Sequence, residues 1–125
     1  MKYVILIHSN PTSRHVWEGM TDQQRLKFGR DHLTFGEQLA ATGELVHSAG
    51  LVPQDQAKRV WLDDGETMTT DGPFPETKEY LAGFYVVDCD TIERACAHAA
   101  RLPEAAYTHV EVRPLWDPAT LNDPT

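Results

Sequence analysis

Between Thr70 and Glu79 the chain reads Thr-Asp-Gly-Pro-Phe-Pro-Glu-Thr-Lys-Glu, a run that neither a helix nor a central strand can absorb. Its two prolines lack a backbone donor and fix φ. Asp71-Gly72-Pro73 reads as a turn: Gly supplies unusual φ/ψ values, and Pro pushes the residue before it out of the α region. A charged tail follows, and Tyr80 to Asp88 then turns apolar and β-branched. The run is an ordered loop feeding a strand, and the other elements fall on either side of it.

Upstream, Lys2 to His8 is a short apolar, β-branched segment that predicts a buried strand. Ser9-Asn10-Pro11-Thr12-Ser13 breaks it. Thr21 and Gln24 have capping-box spacing and open an amphipathic helix that ends near Gly43. Its stripe is read from Leu26, Leu33 and Ala40, with Phe28, His32, Phe35 and Leu39 beside them. Leu45 to Leu51 is a weaker strand, and Pro53 to Ala57 is a connector. Arg59–Leu62 and Thr67–Thr70 predict a β-hairpin around Asp64-Gly65, the dipeptide a type I′ turn favours.

Downstream of the loop, Gly83 to Asp88 is a strand. Asp90-Thr91-Ile92-Glu93 is a second capping box. It opens a helix through Arg101 with Ile92, Ala95, Cys96 and Ala99 on one face, and Leu102-Pro103 stops it. Tyr107 to Leu115 is the last strand, with Val110 and Val112 alternating against His109, Glu111 and Arg113. Residues 117–125 read as a flexible tail.

The order β-α-β-(hairpin)-β-α-β is an α+β, ferredoxin-like one: one domain over residues 1–116, with an antiparallel sheet and both helices on one face. The other face would carry His109, Glu111 and Arg113 beside aromatic neighbours. A mixed face of that kind suits a homodimer whose sheets oppose each other around a cavity. At 125 residues the chain is also near the size at which oligomerisation helps. A net charge of -8 without a Lys/Arg cluster argues against nucleic acid as a partner. No apolar run reaches membrane-spanning length, and the N-terminal apolar segment is too short for a signal peptide. Cys89 and Cys96 read as buried free thiols, so the cytoplasm is the expected compartment.

With these elements in place, the Asp71–Phe74 signature resembles that of the DGPF subgroup of YCII-related (YciI-like) proteins. The likeness extends over roughly residues 1 to 116, through Lys2-Tyr3-Val4, Gly83-Phe84-Tyr85 and Val110-Glu111-Val112-Arg113-Pro114. It implies a dimeric α+β barrel. It also implies a histidine in a His-Leu context, here His32-Leu33, acting with an Asp near the end of the second helix as an acid–base dyad. Leu102 falls where that Asp would be, so the dyad is incomplete unless the fold brings Glu104 or Asp71 to His32.

His32 and Asp71 are the candidate catalytic residues, each with a plain alternative: a partly exposed helix histidine, and an Asp accepting hydrogen bonds from its own turn. Thr77 and Lys78 either hold the loop or reach a ligand. His8, His47, His109 and Arg113 are candidate substrate contacts: His8 ends a strand beside a loop, and Arg113 suits an anion. No His or Cys pair has metal-ligand spacing, so no metal is expected. A nucleophile elbow, a phosphate loop and a dinucleotide fingerprint are all missing, so no cofactor is expected either. Cofactor-free acid–base chemistry (isomerisation, dehydration or elimination) on a small organic molecule in the dimer cavity is the first reading. The alternative is a non-catalytic ligand-binding or regulatory accessory protein, linked through the family resemblance to extracytoplasmic-function sigma factors. Cofactor-independent oxygenation of an aromatic substrate is a further enzyme reading that the resemblance allows.

Overall fold

The computed structural model describes residues 1–122. Six strands and four helices follow in the order β1 (Lys2–Ser9), α1 (Pro11–Glu18), α2 (Asp22–Ala41), β2 (Leu45–Gly50), β3 (Lys58–Asp63), β4 (Glu66–Asp71), β5 (Tyr80–Asp88), α3 (Ile92–Ala99), α4 (Glu104–Tyr107) and β6 (Glu111–Pro114). The main sheet has the order β2-β5-β1-β6, antiparallel throughout, while β3 and β4 pair separately. This is the expected ferredoxin-like arrangement with an inserted hairpin.

Alternation sorts the sheet into two faces. Tyr3, Ile5, Ile7, Tyr85 and Val87 are buried against Phe35 and Leu39 of α2, Ala95 and Ala99 of α3, and Leu102. Full burial of side chains such as Ile5, Leu39, Val87 and Leu102 contributes about 1.5–3 kcal/mol each relative to exposure. On the opposite face, Leu6 stands across from Phe84 and Glu111, and Val4 across from Val86 and Arg113. That face is an apolar strip with charged groups at its β6 edge.

Two helices were not legible in advance. Asn10-Pro11 starts α1 instead of only breaking β1: Asn10 is the N-cap, exchanges reciprocal hydrogen bonds with Ser13, and Pro11 occupies the first turn. Helix α3 ends at Ala99, short of the expected Arg101 and Pro103, and directly after Pro103 residues Glu104–Tyr107 form the single turn of α4. The stripes also shift. In α2 the buried residues are Phe35 and Leu39, while Leu26 and Leu33 are exposed, because at 3.6 residues per turn Leu26, Leu33 and Ala40 share a face roughly 120° around the helix from the Phe35–Leu39 line. In α3 the buried positions are Ala95, His98 and Ala99, and Cys96 faces solvent, contrary to its expected burial. The last strand is confined to Glu111–Pro114. In the tail, Asp117 caps a short 3-10 turn over Pro118–Thr120, and residues 123–125 of the expected flexible tail lie outside the described residues.

Asp64 and Gly65 turn the β3–β4 hairpin in the left-handed region, as expected of a type I′ turn. Gly72 is a different case: only Gly43 and Gly65 among the described glycines have a positive φ. Gly72 is needed for space. Its N–H donates to Ala57 O at 2.8 Å, and a Cβ there would stand 2.2 Å from the backbone oxygen of Gln54. Beyond it Phe74 is buried, with the Arg59 guanidinium 3.8 Å from its ring centre. Arg59 also donates to Glu76 and to Thr77 Oγ1. The loop therefore fastens the hairpin to the connector, and Thr77 serves that structure.

Candidate active site

Helix α2 presents Phe28, His32, Phe35 and Leu39 at three- and four-residue spacing, so the stripe that enters the core at Phe35 carries His32 one turn earlier. Leu102 points into the core, Pro103 turns the chain, and Glu104 opens α4 directly against that turn of α2. Tyr85, opposite Ile5 on the helix-covered face of the sheet, supplies a third group.

The three side chains form one hydrogen-bonded chain. His32 Nε2 lies 3.0 and 2.9 Å from the two oxygens of Glu104, and Nδ1 lies 2.9 Å from the Tyr85 hydroxyl. A carboxylate accepts only, which assigns the Nε2–H to Glu104 and leaves Nδ1 as the lone pair that accepts from Tyr85. The same hydroxyl also lies 3.3 Å from the backbone oxygen of His32. When Nδ1 is protonated it donates to the phenol oxygen, and the phenol proton turns to that carbonyl. Both charge states of the imidazole are thus satisfied without moving a heavy atom.

Glu104 is almost fully enclosed, so its charge acts at short range on its neighbours. The hydroxyls of Tyr85 and Tyr107 are both pushed up to about 12, first by burial and then by the Glu104 charge. Tyr85 therefore stays a proton donor at neutral pH. A carboxylate, an imidazole and a phenol in series can take up a proton, hold it and return it.

A cavity of about 430 Å³ opens beside this chain, lined by Phe28, His32, Ser48, Ala49, Phe84 and Tyr85 among others. It lies where α2 meets β2 and β5, with Ile7 and Tyr85 from the helix-covered face and Phe84 from the opposite one. The other candidates are elsewhere. Asp71 is exposed at the end of β4 and paired with Lys58 across the hairpin, so the acid beside His32 is Glu104. It makes no side-chain bond within its own turn either, since Lys58 takes the carboxylate. His47 is exposed near Phe84. Arg113 is exposed beside Glu111, and His109 lies 3.5 Å from Glu79. His8 contacts Glu111 at 3.1 Å and lines a second cavity. Tyr85 had been legible only as part of its strand, and its register opposite Ile5 is what brings it to the site.

A second polar cluster joins β5 and α3 below the core. Glu44 accepts from Arg94 at 2.9 Å, from His98 Nε2 at 3.0 Å and from the Cys89 thiol at 3.2 Å. Its oxygens come near enough to His98 and Cys89 for a metal ion. However, Arg101 donates to His98 Nδ1 at 2.8 Å, so both ring nitrogens and both carboxylate oxygens are taken by protein groups. Burial and Glu44 push the Cys89 thiol up to about 11, away from the thiolate a metal needs.

The Arg94 hydrogen bond, followed by that of His98, holds the Glu44 carboxyl far below its ordinary value of 4.5. A lowered carboxyl stabilises the fold fully above the unfolded value and loses that contribution as pH falls. Wild-type stability is expected to decline below pH 4.5, and Glu44→Gln to decline less steeply, in urea titrations across pH 3 to 6. Parallel curves for the two proteins would show that Glu44 is not the group responsible.

Comparison with known proteins agrees with this architecture. An uncharacterised protein of Rhizobium meliloti (strain 1021) is 34% identical over 117 residues, covering 92% of each chain. Among solved structures, a 5-chloro-2-hydroxyhydroquinone dehydrochlorinase from Burkholderia phenoliruptrix AC1100, in complex with 2,5-dihydroxybenzoquinone, superimposes with a TM-score of 0.54 at 14% identity. The match covers 98% of this chain and 100% of that one, and at this identity it speaks for the fold alone. A family model described as the YCII-related domain matches residues 1–118, and the chain belongs to the YCII-related family.

Proposed function

We propose that this protein catalyses cofactor-free proton transfer on a small organic molecule bound beside His32. The observation that carries the reading is the Glu104–His32–Tyr85 chain, which keeps both protonation states of the imidazole hydrogen-bonded at the wall of a 430 Å³ cavity. Glu104 orients the ring and stabilises the imidazolium. Nδ1 takes the substrate proton directly or through the Tyr85 hydroxyl and then returns it to another atom of the substrate or to a leaving group. Isomerisation, dehydration and elimination share that first step. The structural neighbour is named as a dehydrochlorinase, an elimination of HCl, which is consistent with this class.

The test is proton exchange in D₂O, followed by NMR on a panel of cyclic ketones, enones and hydroxyquinones. Wild type is expected to accelerate exchange beside a carbonyl on at least one member. Binding of panel members without any exchange favours the second reading, a non-catalytic ligand-binding or regulatory module. The occupation of both His32 nitrogens by protein groups is what supports that alternative.

The Asp71–Phe74 signature supports membership of the DGPF subgroup, and with it an accessory role near extracytoplasmic-function sigma factors. Two free thiols suit a reducing cytoplasm. Among the described residues no helix is long and apolar enough to cross a membrane. The open sheet face, with Val4, Leu6, Phe84 and Val86 at its centre, is proposed as the homodimer interface. Light scattering at micromolar concentration is expected to give twice the chain mass, and Leu6→Asp to give one; a monomeric wild type overturns the interface.

A further inference from the structure

The second cavity, of about 380 Å³, adjoins the first through Ile7, Phe28, Ala82 and Glu104. It carries a cation that the proton-transfer chemistry does not use. Arg14, in the first turns of α1, lies in its wall. The guanidinium is fixed by two neutral acceptors: Nη1 donates to Ser9 Oγ at 3.2 Å and Nη2 to Lys78 O at 3.0 Å. It also sits 5.4 Å from the Tyr80 ring centre.

In this acidic chain the arginines that meet a carboxylate among the described residues are Arg59, Arg94 and Arg113; Arg14 is not one of them. Two of the five N–H donors of a guanidinium are thus engaged, and among the described residues no carboxylate pairs with it, although Glu18 and Glu104 line the same cavity. Trp17, Phe28, Tyr80 and Tyr107 make much of the remaining wall aromatic. A positioned guanidinium in an aromatic slot is the arrangement that recognises a planar ring bearing a carboxylate.

We propose that this cavity is a subsite for the carboxylate of an aromatic acid, held by Arg14, while the rest of the substrate reaches His32. The placement of the reacting end rests on the proton-transfer function proposed above; the subsite itself does not. Charge also sets the direction of binding. Glu104 lies in the shared wall of the two cavities and repels an anion, whereas Arg14 attracts one, so the acidic end is drawn away from the reacting groups.

Benzoate and benzamide are the probes, since they share a shape and differ in charge. In calorimetric titrations wild type is expected to bind benzoate about 10–100-fold more tightly, the usual gain from charge-assisted hydrogen bonds. Arg14→Gln should abolish the preference and Arg14→Lys should keep part of it. In the wild-type nitrogen–proton correlation spectrum, benzoate but not benzamide should shift the Arg14 Nε–H signal, a readout that needs no variant to fold. Equal affinities, absence of benzoate binding, an unmoved Nε–H signal or a preference surviving in Arg14→Gln each overturn the subsite. A wild type that prefers benzoate yet exchanges no proton on the D₂O panel retains the subsite and overturns the proton-transfer function instead.

Discussion

His32→Ala is expected to lower the rate of catalysed exchange by about 10²–10⁴-fold, the contribution a positioned general base makes. Beside the imidazole the Tyr85 hydroxyl, held at about 12, keeps its own proton and serves only to pass one on. Glu104→Gln should also lose most of the rate. Its amide oxygen can still accept from Nε2–H, but it no longer offsets the positive charge formed when Nδ1 takes a proton. Tyr85→Phe separates the two routes for the proton: a large loss means it passes through the phenol, and a small one means that the substrate reaches Nδ1 directly. Affinity for an uncharged ligand, measured by tryptophan fluorescence, should change little in Glu104→Gln. Exchange within a few-fold of wild type in His32→Ala would remove the imidazole from the chemistry and leave the ligand-binding module.

How far this site could be read in advance depended on the range of the interactions that build it. The capping box fixed where α2 begins because that signal is local, and periodicity put His32 only beside the Leu26–Leu33–Ala40 stripe, whereas the buried line runs through Phe35 and Leu39. The element order β-α-β-(hairpin)-β-α-β was also legible from local patterns, since alternation marks the strands and Asp64-Gly65 marks the hairpin that pairs apart from the main sheet. The partner acid was less legible. Leu102 occupies the position where a relative's Asp is expected, and only the chain direction after Pro103 decides that Glu104 reaches His32 while Asp71 does not. Tyr85 is one of several aromatics on strands, and its role emerges from its register opposite Ile5. Arg14 was hidden for another reason. Asn10-Pro11 reads first as a break, and its second meaning, a capped helix start, places Arg14 on a helix against the cavity.

Gly72→Ala is expected to destabilise the protein by about 3 kcal/mol, lowering the melting temperature by roughly 10 °C. The reason is contact with backbone, which cannot rotate away as a side chain would. The added Cβ would stand 2.2 Å from Gln54 O and 3.3 Å from Ala57 O, and the Gly72 N–H is already bonded to that second carbonyl. Relief requires the connector to move off the loop, which weakens that bond and uncovers Phe74. Gly29→Ala is the matched control, the same chemical change inside α2 with nothing within 4 Å of the new methyl. There the lower chain entropy of alanine should stabilise by about 0.5–1 kcal/mol, so the two substitutions are expected to have opposite signs. Calorimetric melts of both variants beside wild type decide the matter. If Gly72→Ala melts with wild type, the loop gives way without cost and the Asp-Gly-Pro-Phe run does not fasten the hairpin to the connector. If it melts low and still exchanges protons below its transition, the run is a structural clasp and the chemistry belongs to the His32 side of the molecule.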